Sequence, residues 1–218
     1  MDHQPGPGVC RKKRRLRRLI ELAAQRGWAV GYQDETWWSR LKQPHLHSWA
    51  DANEPLHLQE LECEKDDPDP LALCCYGLWR ADHEQMLVRF VAGRPVSQVT
   101  TDYLDWLATC LAAEGQQVLL LIWDNASWHG SKQVRAWLRE HNRIARAAQG
   151  EGQPAVRIMA FWLPVKSPWL NAIEPKWVHG KKAIVEPDRK LTAAEVRERV
   201  QAHFGCAPLE PLKQKKVA

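Results

Sequence analysis

The chain has 218 residues, enough for one sizeable domain, and its 44% hydrophobic and 26% charged residues are ordinary for a globular protein. Its formal net charge is +5, and seven of the eight residues from Arg11 to Arg18 are cations. No run approaches the ~20 apolar residues of a membrane span, and no apolar leader opens the chain. We therefore expect a cytoplasmic protein whose basic segment either meets a polyanion, most simply nucleic acid, or is only a solvated helix.

The six cysteines argue against a metal-finger protein, because they lack the paired spacing of zinc ligands. Cys74 and Cys75 are adjacent inside an apolar run, so we expect both to be small core residues. A zinc protein built from scattered His and Cys is a poor interpretation of this chain.

The N-terminal part predicts an irregular start, a helix and a strand. Residues 1–10 contain two Pro-Gly pairs and are predicted to be disordered. Apolar residues at helical spacing follow the basic segment, and Gly27 ends this helix. The alternating apolar residues of WAVGYQDETWWS, which begins at Trp28, indicate the first strand.

Three further strands and a helix are expected next. LHLQELEC and LALCCYGLWR flank an acidic stretch rich in aspartate and proline and are typical of an antiparallel strand pair, and MLVRFVAG is another strand candidate. TTDYLDWLATCLAAEG predicts a helix that ends at Gly115.

The continuous apolar run VLLLIWD, residues 118–124, predicts a central strand buried on both faces. A helix with Ser131 as its N-cap follows, then the strand VRIMAFWLP. A closing helix, LTAAEVRERVQAHF, starts with a capping box of Thr192 and Glu195. This order favours an α/β fold in which an antiparallel meander and parallel strands form one mixed sheet flanked by helices.

Three carboxylates follow predicted strands. Asp34 follows the first strand, Asp124 ends the central strand, and Glu174 lies past the last strand. Sites in α/β sheets form outside the carboxyl ends of strands, so the first two acids converge if their strands are neighbours. Converging carboxylates usually surround a cation, and oxygen ligands favour Mg²⁺ or Mn²⁺. Because the chain holds 26 acids, a solvated acid at a strand end is the alternative for each.

Three segments, read together, resemble the signature blocks of DDE transposases. They are QDET at 33–36, WDNASWHGS at 123–131 and LPVKSPWLNAIEPKW at 163–177. The similarity is to bacterial insertion-sequence transposases of the mariner-related type and covers roughly Trp28 to Val185. It implies a ribonuclease-H-like catalytic core that cleaves DNA and transfers strands with two Mg²⁺ or Mn²⁺ ions per site.

The resemblance assigns the metal-binding and catalytic triad to Asp34, Asp124 and Glu174. The residues that would support the triad or lie near DNA are Glu35, Asn125, His129 and Asn171. His129 would either approach a DNA phosphate or hold its loop through a structural hydrogen bond, and both interpretations stay open here. Trp177 shares the helical face of Glu174 and is expected to be core. The DNA-binding cations would be Arg11, Lys12, Lys13, Arg14, Arg15, Arg17, Arg18, Lys166, Lys176, Lys181 and Lys182, with a solvated face as the alternative for each.

The chain is expected to have three parts: a basic, partly disordered or helical leader at 1–27, a catalytic domain at 28–206 and a basic tail at 207–218. Complete relatives carry helix-turn-helix modules ahead of the core, and 27 residues are too few for them. We therefore expect a split or truncated gene. The implied partners are transposon-end and target DNA, a homo-oligomer on that DNA, and a separate helix-turn-helix polypeptide.

Two departures qualify the resemblance. The family often has proline at the position of Ala172, whereas here Pro175 follows the acid, where a first helical turn tolerates it. The 50 positions from Asp124 to Glu174 are also a long interval for the family, and the excess is expected in the loop-like AAQGEGQPA.

Two rival functions stay open beside the transposase. One is a catalytically inactive DNA-binding remnant of such an enzyme. The other is a ribonuclease-H-like nuclease acting on RNA–DNA hybrids, and the S-P-x-L-N-x-I-E block argues against it.

Overall fold

The computed structural model describes residues 7–41, 66–165, 167–184 and 189–214. The helices in these ranges are α1 (Pro7–Gln25), α2 (Ser97–Ala113), α3 (Lys132–Gly150), α4 (Glu174–Ile184) and α5 (Ala193–His203). The strands are β1 (Ala29–Ser39), β2 (Ala72–Arg80), β3 (Gln85–Ala92), β4 (Val118–Trp123), β5 (Arg157–Trp162) and β6 (Leu212–Lys213). A short 3₁₀ turn, Pro168–Leu170, precedes α4.

The six strands form one mixed sheet in the order β5-β4-β1-β2-β3-β6. The β1–β2 and β2–β3 pairs are antiparallel, whereas β1–β4, β4–β5 and β3–β6 are parallel. The predicted α/β class, with a meander continued by parallel strands, is therefore confirmed. No helix in the described ranges has the length and apolar character needed to cross a bilayer.

Helices cover both faces of β4, whose residues are all buried. Leu119 and Leu121 belong to a core cluster with residues of α2 and α3, whereas Leu120 and Ile122 belong to a cluster with residues of α1. Successive side chains of a strand point to opposite faces, so a strand covered on both sides needs a continuous apolar run. This explains why residues 118–123 contain no charged residue.

A second core lies under α4 and α5. Trp38 of β1 and Phe90 of β3 are buried in one cluster with Trp177 of α4 and Val200 of α5. The predicted capping box of α5 is present, since the Thr192 side chain accepts from the Glu195 N–H and the Glu195 side chain accepts from the Thr192 N–H. The cluster around Trp177 packs α4, which carries Glu174, against the sheet.

The described part of the leader is an ordered, packed helix. Residues 7–10 belong to α1, so the prediction of disorder there is wrong. Leu16 and Ala23 of α1 are buried against β1 and β4, and this tertiary burial outweighs the local effect of proline and glycine. At the other end, β6 falls within the predicted tail and pairs with β3.

The adjacent cysteines of β2 and the first acid, Asp34, can both be compared with the sequence predictions. Cys74 and Cys75 are fully buried, as expected. Asp34 does not follow β1 but lies inside it, because pairing with β2 extends β1 to Ser39. The predicted strand LHLQELEC, at 56–63, lies outside the described residues.

Candidate active site

Asp34 and Asp124 lie at the same level of two neighbouring parallel strands. Ala29 to Tyr32 pair with Leu119 to Ile122, and every pair differs by 90 positions (119 − 29). The same difference relates Asp34 to Asp124, and paired strands lie about 4.8 Å apart. The parallel pairing stops at Tyr32, so both acids lie just beyond it, at the carboxyl edge of the β1–β4 pair.

Gly77 brings the helix that carries Glu174 close to Asp34. Gly77 of β2 pairs with Asp34, and a Cβ atom at this glycine would lie 2.3 Å from the Trp177 ring. The missing side chain therefore leaves room for the indole of Trp177, which is buried as predicted. Because Glu174 precedes Trp177 by three residues on the same helical face, this contact positions Glu174 at the site.

The pKa values of the triad show that the three acids interact. Burial, then the charges of Glu35, Glu174 and Asp124, raise the pKa of Asp34 to about 8. Burial and the charge of Asp124 also raise the pKa of Glu174, against the opposing effect of Lys181. Asp34, Asp124 and Glu174 therefore lie near enough for the charge of Asp124 to oppose the ionisation of Asp34 and Glu174.

His129 is fully buried and bridges two carboxylates. Its Nδ1 lies 2.8 Å from Oδ1 of Asp124, its Nε2 lies 2.9 Å from Oε1 of Glu35, and its ring stacks on Trp123 at 4.6 Å between ring centroids. Burial alone would lower the pKa of His129, but the charge of Glu35 and hydrogen bonds to both acids raise it to about 9. His129 is thus an imidazolium at neutral pH that donates to both acids, and it holds its loop instead of facing solvent.

Asp124 is both a partner of the buried His129 and a residue of the cavity wall. Burial alone would raise its pKa, but the hydrogen bonds from His129 and from the backbone N–H of Ala126 lower it. Both donors use Oδ1, and 51% of the Asp124 side chain is exposed, so Oδ2 is left free for another partner.

Glu35 points to the opposite face of β1 from Asp34, as strand alternation requires. Its carboxylate accepts from the Nε2 of Gln33 at 2.9 Å and from the indole Nε1 of Trp128 at 3.2 Å, in addition to His129. No sequence motif assigned a role to Trp128, and its partner lies 93 positions away. Trp128 completes the set of donors around the buried Glu35.

A cavity of about 290 Å³ opens at this edge. Its polar lining comes from Asp124, Asn125, Ser167, Asn171 and Glu174. Asp34 does not line it, although its charge interactions with Asp124 and Glu174 place it alongside.

Asn125 and Asn171 connect the loops around the cavity. The Nδ2 of Asn125 donates to the carbonyl of Leu163 at 2.5 Å, which ties the end of β4 to the end of β5. The Nδ2 of Asn171 donates to the carbonyl of Gln33 at 3.3 Å, which ties the turn before α4 to β1. The Oδ1 of Asn171 is buried without a hydrogen-bond partner among the described residues.

The residues at this edge fit a divalent cation in their chemistry. The available donors are the carboxylates and the unpartnered amide oxygen of Asn171, and hard cations such as Mg²⁺ and Mn²⁺ take oxygen ligands. Among the described residues, however, no three His, Cys, Asp or Glu side chains stand close enough to hold an ion as they are placed.

The predicted DNA-binding cations have different surroundings. All seven cations between Arg11 and Arg18 are exposed on α1, and Lys181 and Lys182 are exposed at the end of α4. Lys176 is partly buried, with its Nζ 3.9 Å from the ring centre of Trp79. Lys166 lies outside the described residues.

The helix that carries seven of these cations is joined to β1 by a short turn. The chain turns at Gly27, whose φ is +62°, and Leu16 and Ala23 of α1 are buried in one cluster with residues of β1 and β4.

Comparisons with known proteins agree with this architecture. The sequence profile of the DDE superfamily endonuclease family matches residues 80–195, more than half of the chain. No curated protein sequence matches the chain significantly. The matched range contains Asp124 and Glu174 but not Asp34.

Solved structures of Mos1 transposase share the fold. The Mos1 transposase paired-end complex with left transposon end has 14% identity and a TM-score of 0.60 over 95% of this chain, which spans 58% of that chain. The Mos1 mariner paired end complex with Mn has 15% identity and a TM-score of 0.60 over 93%, spanning 56% of that chain. The catalytic domain of Mos1 mariner transposase has 12% identity and a TM-score of 0.52 over 95%, spanning 86% of that chain. Because the family profile covers more than half of its length, the chain belongs to the DDE superfamily endonuclease family.

Proposed function

We propose that this chain is the catalytic domain of a mariner-related transposase from a bacterial insertion sequence, cleaving DNA and transferring strands with two Mg²⁺ or Mn²⁺ ions per site. The observation that carries the proposal is the convergence of Asp34, Asp124 and Glu174 as interacting like charges in a member of this family. Acids held together without a matching cation favour binding of an external one. The Mos1 structures described with Mn or Mg support the choice of ion.

Divalent ions at such a site would activate the attacking oxygen and stabilise the leaving oxygen. Asp34, Asp124 and Glu174 would hold them, and His129 fixes one oxygen of Asp124 so that the other is free. In cleavage, a bond forms between a water oxygen and phosphorus while the bond from phosphorus to the 3′ oxygen breaks, which leaves a 5′-phosphate and a 3′-hydroxyl. In strand transfer, that 3′ oxygen bonds to a target phosphorus and a target 3′ oxygen leaves.

The basic face of α1 would hold DNA against this edge. Its seven exposed cations would contact phosphates without reading sequence, so binding would weaken steeply with salt. Transposon ends and target DNA are the proposed ligands in the bacterial cytoplasm, bound by a homo-oligomer. The chain spans 58% of the Mos1 transposase chain. A separate helix-turn-helix polypeptide is proposed as a further partner.

Manganese-dependent nicking of supercoiled DNA tests the function. The wild type should nick, whereas Asp124→Asn should fall to background because the half-exposed carboxylate at the cavity has lost its charge. Asp105→Asn is the matched control, since Asp105 is an exposed acid on α2 outside the site, and it should nick like the wild type.

Other outcomes identify the rivals. Equal nicking by the wild type and Asp124→Asn would contradict the catalytic assignment. DNA binding with no nicking by any variant would identify an inactive remnant. Preferential cleavage of RNA–DNA hybrids in a substrate panel would instead identify a ribonuclease-H-like nuclease.

A further inference from the structure

The turn between β5 and α4 presents an exposed tryptophan at the rim of the cavity. Trp169 is 69% exposed, more than any other large hydrophobic residue that the structure describes. Its neighbours Ser167, Pro168 and Asn171 line the cavity together with Asp124 and Glu174. Trp169 therefore belongs to the same short turn as three residues of the cavity wall.

The backbone that carries Trp169 is held by hydrogen bonds. Trp169 is the middle residue of the 3₁₀ turn, in which the N–H of Leu170 donates to the carbonyl of Ser167 at 3.1 Å and the N–H of Asn171 donates to the carbonyl of Pro168 at 2.8 Å. Leu170 packs against the cluster between α1 and β4. An aromatic ring on such a support loses little conformational freedom when a ligand covers it.

The exposure of Trp169 contrasts with the other tryptophans at this edge. Trp123 stacks on His129, Trp128 donates to Glu35, and Trp177 fills the space over Gly77. Trp169 makes no ring contact, cation–π contact or side-chain hydrogen bond with any residue in the described ranges. Most of the indole surface of Trp169 is therefore open to a flat ligand.

We infer that Trp169 stacks on a nucleobase next to the scissile phosphate, a base that is unpaired or unstacked where the strand enters the cavity. This rests on the proposed function. Every base has a π face, so an indole binds it without regard to sequence, as in proteins that hold single-stranded DNA. Exposed Lys181 and Lys182 on α4, the helix that follows the turn, supply positive charge for the adjoining phosphates.

Nucleic acid fits this surface better than a second protein does. Val165, which lines the same cavity, is also exposed, so a protein seated on Val165 and Trp169 would cover the opening. A covered opening would keep the substrate from Asp124 and Glu174. A base stacked on the indole would instead place its own phosphate at the opening.

Binding of DNA that contains 2-aminopurine tests the inference without any cleavage. The probe is a duplex with a short single-stranded gap carrying 2-aminopurine, mixed with the full chain in buffer containing EDTA. Trp169→Ala should bind the gapped probe about tenfold more weakly than the wild type and lose the change in 2-aminopurine fluorescence, while its binding to intact duplex changes little. Trp169→Phe should restore most of both signals.

Trp37→Ala is the matched control, because Trp37 is an exposed tryptophan on β1, outside the turn whose residues line the cavity, and it should behave like the wild type. Unchanged gapped-DNA binding by Trp169→Ala would overturn the inference. So would a change in oligomeric state, measured by light scattering, without a change in DNA binding, since that would assign the surface to a protein partner.

The two proposals fail separately. If the fluorescence change depends on Trp169 but the wild type never nicks DNA, base stacking is supported and the catalytic proposal is contradicted. Nicking that persists while Trp169→Ala binds gapped DNA like the wild type contradicts base stacking alone.

Discussion

Charged residues at two places along β2 differ in whether they have ion-pair partners. At its C-terminal end, Arg80 is fully buried and pairs with Asp82 at 2.9 Å and with Glu114 at 2.7 Å. Near the middle of the strand, beside Gly77, the acids Asp34 and Glu174 form no ion pair with any cation in the described ranges. The fold neutralises charge where the charge is structural, so uncompensated acids indicate a place for an external cation.

The same contrast divides the site itself. Glu35 and one oxygen of Asp124 share the imidazolium of His129, an arrangement like that around Arg80. Asp34 and Glu174 have raised pKa values because burial and neighbouring acids oppose their ionisation. The hydrogen bonds of His129 hold Glu35 and Asp124 in place, and Asp34 and Glu174 are the residues proposed to bind the cation.

The largest expected effect on stability comes from removing His129, the partner of Glu35 and Asp124. His129→Leu should lower the free energy of unfolding by about 3–5 kcal/mol, because Glu35, only 6% exposed, would stay buried without a cation. Arg80→Met should cost less, since Asp82 and Glu114 are 21% and 40% exposed and can regain water. Urea denaturation measures both, and the double variant His129→Leu/Glu35→Gln should recover part of the loss. A smaller loss for His129→Leu than for Arg80→Met would contradict the comparison.

A smaller effect is expected where β2 meets α4. Gly77→Ala should cost about 1–3 kcal/mol, because the new Cβ overlaps the Trp177 ring and displaces the helix that carries Glu174. DNA nicking should fall in the same variant. Gly150→Ala at the end of α3 is the control, because its Cβ meets nothing within 4 Å, and it should be neutral or slightly stabilising. Equal unfolding free energies for the two variants would remove the case for the Gly77 contact.

Neutralising one uncompensated acid should stabilise the protein. Asp34→Asn should raise the free energy of unfolding in EDTA by about 1–2 kcal/mol at pH 8.5. Each kcal/mol corresponds to a rise in Tm of roughly 2–4 °C. The folded protein keeps the Asp34 proton up to a pKa of about 8, whereas the unfolded chain releases it near 3.8. Wild-type stability therefore falls between these pH values, and the advantage of the Asp34→Asn variant should grow from pH 4 to pH 8.5. An advantage that shrinks with rising pH in thermal melts would contradict the assignment.

The smallest effect is expected far from the acids. Thr192→Ala should cost about 1 kcal/mol by removing the cap of α5. Because the capping box has no contact with the carboxylate cluster, calorimetry should find the same affinity for Mn²⁺ as in the wild type. A weaker Mn²⁺ affinity of Thr192→Ala would show that a loss of stability by itself disturbs the site. The effects of the other variants could then not be assigned to their contacts with the acids.

Local patterns predicted the five helices, strands β1 to β5 and the mixed sheet, because apolar periodicity, glycine stops and the Thr192 cap act over a few residues. They did not predict β6, which depends on pairing with β3. The segment WAVGYQDETWWS predicted β1 to its end, but the position of Asp34 inside the strand instead of after it depends on pairing with β2 across a long stretch of chain. The hydrogen bonds from His129 to Glu35 and Asp124 include a pair of residues 94 positions apart, and nothing near His129 in the sequence shows that this histidine is buried. The role of Gly77 likewise requires knowing that Trp177 lies above it. Tertiary contacts alone determine these features.

Titration with Mn²⁺ tests the central claim most directly, with calorimetry and thermal melts on the wild type and Asp34→Asn. The account predicts that the wild type binds Mn²⁺ and that its Tm rises with metal concentration. Asp34→Asn, the more stable protein in EDTA, should bind far more weakly and gain little. Equal Mn²⁺ binding by the two proteins, or no binding by the wild type, would contradict the account.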